Sequence, residues 1–221
     1  MYIHDFTDGT SREILDMKVT KAQAQANRAH IVETASTLFR ERGYDGVGIA
    51  DLMAGAGFTR GGFYKHFGSK ADLMAEAAAS GFSKSAANIA GIHPSAFVQE
   101  YLSRQHRDAR GRGCTFAALS GDAARQPESV KQTFAAGIEN ELATLAREDS
   151  ALSESAKFEA RTKRIDTLAH VVGALVLSRA CPDDSPLADE ILDVCRTEIL
   201  SQYDRKAEKP DQSLPAPSLV S

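Results

Sequence analysis

The chain contains no tryptophan, and only three cysteines, Cys114, Cys181 and Cys195, in 221 residues. An odd, scattered set of thiols argues against a disulfide framework and fits a reducing compartment. No apolar run approaches the roughly 20 residues that span a bilayer, and the first residues lack the apolar core of a secretion signal. A cytoplasmic protein with no membrane partner is the expectation. Also missing are G-x-S-x-G, a P-loop, G-x-G-x-x-G and H-E-x-x-H. The six histidines form no pair at metal-ligand spacing. Neither enzymatic activity nor a metal or cofactor is expected. No strand signal is evident either; the periodicity is helical wherever it is clear.

Charge of one sign is not in large excess, with 26 Lys and Arg against 30 Asp and Glu. Its distribution is uneven. Residues 17–70 carry eight basic and four acidic side chains, whereas residues 71–221 carry 17 and 22. A basic segment on an acidic body points to a local polyanion site. Residues 1–16 are acidic and aperiodic and read as a disordered extension, with Met17 an alternative translation start. The proline-containing, largely polar stretch 204–221 reads as a disordered tail.

Within the basic segment, Ile31, Ala35, Leu38, Phe39 and Arg42 recur at helical spacing from about Ala22 to Arg42, and Gly43 ends the pattern. Ile49, Leu52, Met53 and Ala56 mark a short second helix ended by Gly57. Thr59 is the expected cap of a third, Arg60 to Phe67, and Ser69 with Asp72 the capping box of a fourth. Two short helices joined by a glycine-containing turn are a helix-turn-helix arrangement, whose second helix enters the major groove of DNA. That arrangement accounts for the stretch GFTRGGFYKHFGSK, residues 57–70. Phe58, Phe63 and Phe67 turn inward. Gly61 and Gly62 remove bulk where the backbone would approach phosphates or base edges. Arg60 suits a guanine edge or a phosphate, Tyr64 and His66 suit phosphate oxygens, and Lys65 and Lys70 supply charge.

The remainder also reads as helix: about 95–106 capped by Ser95, a loop at 110–113, then 114–125, 128–147, 156–180 and 186–202. Ile165, Leu168, Ala169, Val172, Leu175, Val176 and Arg179 form one stripe. Ala188, Ile191, Leu192, Cys195 and Ile199 form another. Cys114 follows two arginines at a predicted helix N-terminus, an environment that lowers a thiol pKa; a redox- or electrophile-sensing role is the alternative to a buried inert thiol. A helical adaptor that binds protein and not DNA is a further alternative, disfavoured by the open basic face.

Residues 27–73 resemble the DNA-binding domain of the TetR family of bacterial transcriptional regulators, through A-x-x-L-F-x-x-x-G-Y, I-A-x-L-x-x-x-A-G and T-x-G-x-F-Y-x-H-F-x-S-K-x-x-L. The resemblance implies an all-α protein, with a helix-turn-helix domain over 17–70 and a helical ligand-binding and dimerisation domain over 71–203. It makes Thr59, Arg60, Gly61, Gly62, Tyr64, Lys65, His66 and Lys70 the DNA-facing set. Gly48 stands where the family usually has Thr or Ser, so a backbone cap remains there but the side-chain phosphate contact is in doubt. The resemblance also implies a homodimer through 156–202, a palindromic double-stranded operator and release by a small-molecule effector. Phe97, Tyr101, Cys114, Phe116, Leu119, Phe134, Ile138, His170 and Ala174 are the candidate lining of the effector pocket.

Overall fold

Nine α-helices in chain order build the part of the protein that the computed structural model describes, residues 20–146 and 152–207. They are α1 (Lys21–Arg42), α2 (Ile49–Gly55), α3 (Lys70–Ile89), α4 (Pro94–Tyr101), α5 (Arg104–Asp108), α6 (Thr115–Ala123), α7 (Glu128–Leu145), α8 (Glu154–Ala180) and α9 (Pro186–Ala207). Two 3-10 turns, Arg60–Lys65 and Arg110–Arg112, join them. No strand occurs among the described residues, so the fold is all-α as expected. The predicted extension over 1–16 lies outside the described residues, as does the predicted tail beyond 207. At its near end the tail departs from expectation, since α9 continues to Ala207.

Local chemistry sets most boundaries. Thr20 Oγ1 accepts from the Gln23 N–H and starts α1. Gly43, at φ 74°, ends it in a left-handed conformation that a side chain would resist. Ser69 Oγ accepts from the Asp72 N–H at 3.1 Å, the first half of the expected box. Three expectations give way. Thr59 makes no side-chain cap, and the segment after it is a 3-10 turn ending at Lys65, short of Phe67; two adjacent glycines weaken an α-helix there. The helix expected over 95–106 is broken at Leu102 and Ser103, and His93 instead of Ser95 caps its start. The loop at 110–113 contains a helical turn.

One hydrophobic cluster runs from Ile31, Phe39 and Leu52 through Phe63 and Leu73 to Phe82, Phe116 and Phe134. The helix α3 carries it: Leu73 and Met74 are buried in it, the Ala77 carbonyl accepts from Ser36 Oγ on α1 at 3.0 Å, and Phe82 stacks on Phe116 at 4.4 Å and meets Phe134 edge-on at 5.0 Å. Each fully buried Leu or Phe contributes on the order of 1.5–3 kcal/mol. A second cluster joins α4, α8 and α9 through Val98, Leu102, Val171, Leu175, Leu192 and Ile199. The stripe expected on α8 divides. Leu175 is buried with Val171, Ala174 and Ser178, but Ile165 and Val176 face outward, 46% and 44% exposed. The helix is apolar on more than one side, and its own chain covers only one.

Candidate functional site

The turn into residues 57–70 uses Gly57 at φ 78°, with the Phe58 N–H bonded to the Met53 carbonyl at 2.8 Å. Beneath the 3-10 segment, Phe63 and Phe67 are buried and pack 5.5 Å apart. This places Thr59, Arg60, Gly61, Tyr64 and Lys65 on the outside. Tyr64 is 68% exposed, although a tyrosine would normally bury much of its ring. A Cβ added at Gly61 would meet nothing within 4 Å. Gly62 is half-buried above Met53, and Gly48 is exposed at the start of α2, its N–H donating to Asp51 Oδ2 at 3.1 Å.

Two residues of the expected set sit differently. His66 is half-buried between the Phe58 and Phe67 rings, with centroids 6.4 and 6.3 Å away. Lys70 donates through Nζ to the Tyr44 carbonyl, and Nζ lies 5.9 Å from the Phe39 ring centroid. Its ammonium is committed to closing the α1–α2 loop, because α3 begins directly against that loop. Arg28, not singled out from sequence, grips the far end of the turn. It forms a two-pronged pair with Glu76, donates to the His66 carbonyl at 3.3 Å and lies over the Phe67 ring at 4.8 Å.

Two polar contacts tie this unit to the following helices. Asp122 on α6 accepts from the Tyr44 N–H at 2.9 Å. Arg40 on α1 donates to the Gly111 carbonyl at 2.9 and 2.6 Å and to Ser36 Oγ at 2.5 Å. These bonds link α6 to the loop before α2 and the 110–112 turn to α1.

Beside Arg40 opens a cleft of about 750 Å³ between α1, α3, α4 and the 110–113 turn. That volume is within the usual range for small-molecule sites. Of the nine candidate lining residues, Phe97, Tyr101 and Cys114 reach it. Phe116, Leu119 and Phe134 instead fill the closed core. Ile138 is 39% exposed, Ala174 is packed in the α4–α8–α9 cluster, and His170 is half-buried on α8 away from the cleft. Helical periodicity marks a side chain as inward but does not separate a packed interior from a lined opening. The polar wall was not legible in the sequence: Arg40 lies within an otherwise regular helix, and His106 within a run of hydrophilic residues. His106 Nδ1 donates to the Tyr101 carbonyl at 2.7 Å, which leaves Nε2 to accept from the Cys114 N–H at 3.2 Å. Burial holds its pKa below the usual histidine value and favours this neutral form.

Cys114 corrects an expectation. It does precede α6, and the nearby Tyr101 hydroxyl and the first backbone N–H groups of α6 favour the thiolate. Burial opposes them and wins, pushing the thiol above its ordinary pKa. The arginines at 110 and 112 do not offset it. The lowered thiol pKa expected from the sequence is not found.

Residues 31–77 match the family model described as bacterial regulatory proteins, tetR family. The regulator AcrR of Shigella flexneri is 40% identical over 57 residues, 26% of each chain. TtgR of Pseudomonas putida is 46% identical over 55 residues, 25% of this chain and 26% of its own. The repressor DhaR of a Mycobacterium strain is 31% identical over 99 residues, 42% of this chain and 50% of its own. The chain thus spans about a quarter to a half of these relatives' lengths. In fold the likeness extends further. Reduced NemR of Escherichia coli aligns with a TM-score of 0.63 at 20% identity, covering 80% of this chain and 96% of that one. A TetR regulator from Chloroflexus aurantiacus also gives 0.63, at 22% identity, covering 83% and 97%.

Proposed function

We propose that this chain, a member of the tetR family of bacterial regulatory proteins, is a homodimeric repressor that binds a palindromic operator and leaves it when a small molecule occupies the cleft. The observation that carries the DNA reading is the outward set Thr59, Arg60, Gly61, Tyr64 and Lys65, held on a turn braced by Phe63 and Phe67. Bare backbone at Gly61 allows close approach, Arg60 suits a base edge or phosphate, and Tyr64 and Lys65 suit phosphates. Gly48 and Gly62 leave room around the same face. Lys70 and His66 act chiefly by fixing the turn. The domains correspond to 17–70 for DNA and 71–203 for effector and partner.

The test is an electrophoretic shift on DNA flanking the chain's own coding region. Wild-type protein is expected to give a sequence-selective complex that weakens steeply with salt. Arg60→Ala with Lys65→Ala should weaken it at least about tenfold, since each removes a phosphate or base contact. A selective complex unaffected by the double substitution overturns the assignment, and so does the lack of any selective complex. An adaptor would be indifferent to these changes.

A specific observation supports the dimer. Phe158, Ile165 and Val176 lie along one outer stripe of α8, and Leu187 and Val194 along one outer stripe of α9, all between 44% and 74% exposed. Two copies would bury these stripes as a four-helix bundle and present two reading turns to one duplex. Ile165→Glu with Val176→Glu is expected to convert the dimer to a monomer in sedimentation velocity at micromolar concentration. A parent protein that sediments as a monomer would refute the interface.

Effector release would travel through Arg40 to Gly111 and through Asp122 to Tyr44. An occupant of the cleft that shifts the 110–113 turn tilts α1 and changes the spacing of the two reading turns.

A further inference from the structure

The wall of the cleft carries an unusual imbalance between donors and acceptors. Arg40 and Tyr101 both lie within electrostatic reach of the Cys114 sulfur, and all three line the cleft. Arg40 is bonded only to the Gly111 carbonyl and the Ser36 hydroxyl, and no carboxylate among the described residues pairs with it. Arg179, immediately behind Gly113, is likewise bonded only to the His106 and Arg107 carbonyls. A Cβ at Gly113 would stand 2.9 Å from Arg179 Nη2. Burial lowers both guanidinium pKa values, the sign of cations that lack solvation.

Tyr101 is 7% exposed, and its hydroxyl has no hydrogen-bond partner. The neighbouring thiol is a weak acceptor that leaves the O–H unsatisfied. A buried donor with no acceptor is costly and uncommon. Glu41, next to Arg40 on α1, acts on the guanidinium through its charge but is exposed and forms no ion pair with it, and the other acidic groups nearby do not remedy the deficit. Glu33 is engaged by Lys84 at 2.6 Å, Glu100 is exposed at the rim, and Glu141, which also faces Tyr101 and Cys114, is protonated below about pH 7. Ile89, Ile92 and Phe97 add apolar lining to the same cleft, Phe97 with its ring centroid 5.2 Å from that of Tyr101.

The geometry points to an amphipathic organic anion, a carboxylate with an apolar body, as the occupant of this cleft, its charged end held by Arg40 and the Tyr101 hydroxyl and its body laid against Ile89, Ile92 and Phe97. The carboxylate supplies the acceptor that Tyr101 lacks and the counter-charge that Arg40 lacks. It also competes with the Gly111 carbonyl for Arg40, so binding loosens the link between α1 and the 110–112 turn. The link to DNA release rests on the regulator reading above; the binding itself does not.

Isothermal titration of the full chain at pH 6.0 with octanoate, benzoate, octanol and octylammonium tests the inference. At least one of the two carboxylates should bind, at least about tenfold tighter than octanol, with octylammonium weakest; a charge-assisted hydrogen bond is worth at least that factor. Tyr101→Phe should weaken carboxylate binding about tenfold while leaving the melting temperature unchanged or higher, because it removes an unsatisfied hydroxyl. Arg40→Met should abolish the preference for the anion. Binding of octanol as tight as octanoate, no binding by either carboxylate, or full binding by the Tyr101→Phe protein each overturns it. Operator shifts run in parallel separate the two readings: selective DNA binding without carboxylate preference refutes only this inference, and carboxylate binding without selective DNA binding refutes only the regulator.

Discussion

Replacing Arg107 by Met is expected to lower the stability of the protein by about 2–3 kcal/mol, the cost of leaving enclosed acceptors without their charged donor. Arg107 is 1% exposed, the largest side chain to be so completely enclosed. Its Nε donates to the Ser178 carbonyl and hydroxyl at 3.2 and 3.1 Å, and Nη2 to the Ser178 and Cys181 carbonyls at 3.1 and 3.2 Å. At the outer end Nη1 meets Asp108 at 2.7 Å and Asp183 at 3.2 Å. Ser178 passes the network on, its hydroxyl donating to the Ala188 carbonyl at 2.7 Å. One guanidinium thus supplements the Cys181 N–H at the Ser178 carbonyl and supplies a donor to the Cys181 carbonyl at the end of α8, and fixes α5 and α9 around that end. Methionine has similar bulk but no donor, so the Cys181 carbonyl and the Ser178 hydroxyl lose this partner, while the Ser178 carbonyl keeps only the Cys181 N–H at 3.2 Å. Asp108 and Asp183 are exposed and return to water at little cost. At roughly 2–4 °C per kcal/mol for a chain of this size, the melting temperature should fall by about 4–12 °C. A change below about 2 °C would show that water reaches the α8 terminus and replaces the arginine.

Glu141→Met should do the opposite, and in a pH-dependent way. Glu141 is 4% exposed on α7, and burial pushes its carboxyl up from 4.5 to about 7. The folded state thus holds a proton that the unfolded chain gives up. Below pH 4.5 both states are protonated and the residue costs nothing on this account. Between 4.5 and about 7 the unfolded chain ionises first and stability falls; above about 7 the folded state ionises too and the penalty levels off. The gap at roughly 1.4 kcal/mol per pH unit bounds the loss at about 3.5 kcal/mol, and the imperfect fit of methionine in the same space, up to about 1.5 kcal/mol, brings the net gain nearer 2 kcal/mol. Methionine removes the titration without emptying the space. The variant should be more stable than the parent by about 2 kcal/mol at pH 8, seen as a melting temperature higher by roughly 4–8 °C, and by much less at pH 4.5. His106 moves in the other direction: its lowered pKa means stability is lost as pH falls below about 6.5. Because His106 is common to both proteins, the difference between their pH profiles isolates Glu141. A difference that is flat from pH 4.5 to 8 would mean the carboxyl is solvated in the fold.

How much was legible in advance differs by region. In residues 20–70 the limits of α1 and α2, the inward phenylalanines and the outward Arg60, Tyr64 and Lys65 could be read directly, because glycines and caps act over three or four residues. Lys70 could not be placed that way. Its role depends on the Tyr44 carbonyl, 26 residues earlier and brought close only by the packing of α3 on α1. Cys114 shows the same limit in energetic form. The local features that lower its pKa are present, at the start of α6, but the burial that outweighs them is supplied by the surrounding fold. In the larger half, helical periodicity found the helices and the apolar residues but gave no means to divide them. Phe116 and Phe134 went to the core, Phe97 and Tyr101 to the cleft, and Ile165 and Val176 to the outside.

The order of residues alone determined the all-helical class, the breaks at Gly43 and Gly57 and the composition of the exposed reading turn, since each follows from backbone preferences and short-range periodicity. Tertiary structure alone decided which polar side chains became interior parts. Arg40, Arg107, Glu141 and Arg179 look like ordinary surface charges along the chain. Burial and partners from distant segments, at separations such as the 71 residues between Arg40 and Gly111, give them their work. Desolvation is a property of the surroundings in space, so no stretch of sequence contains it.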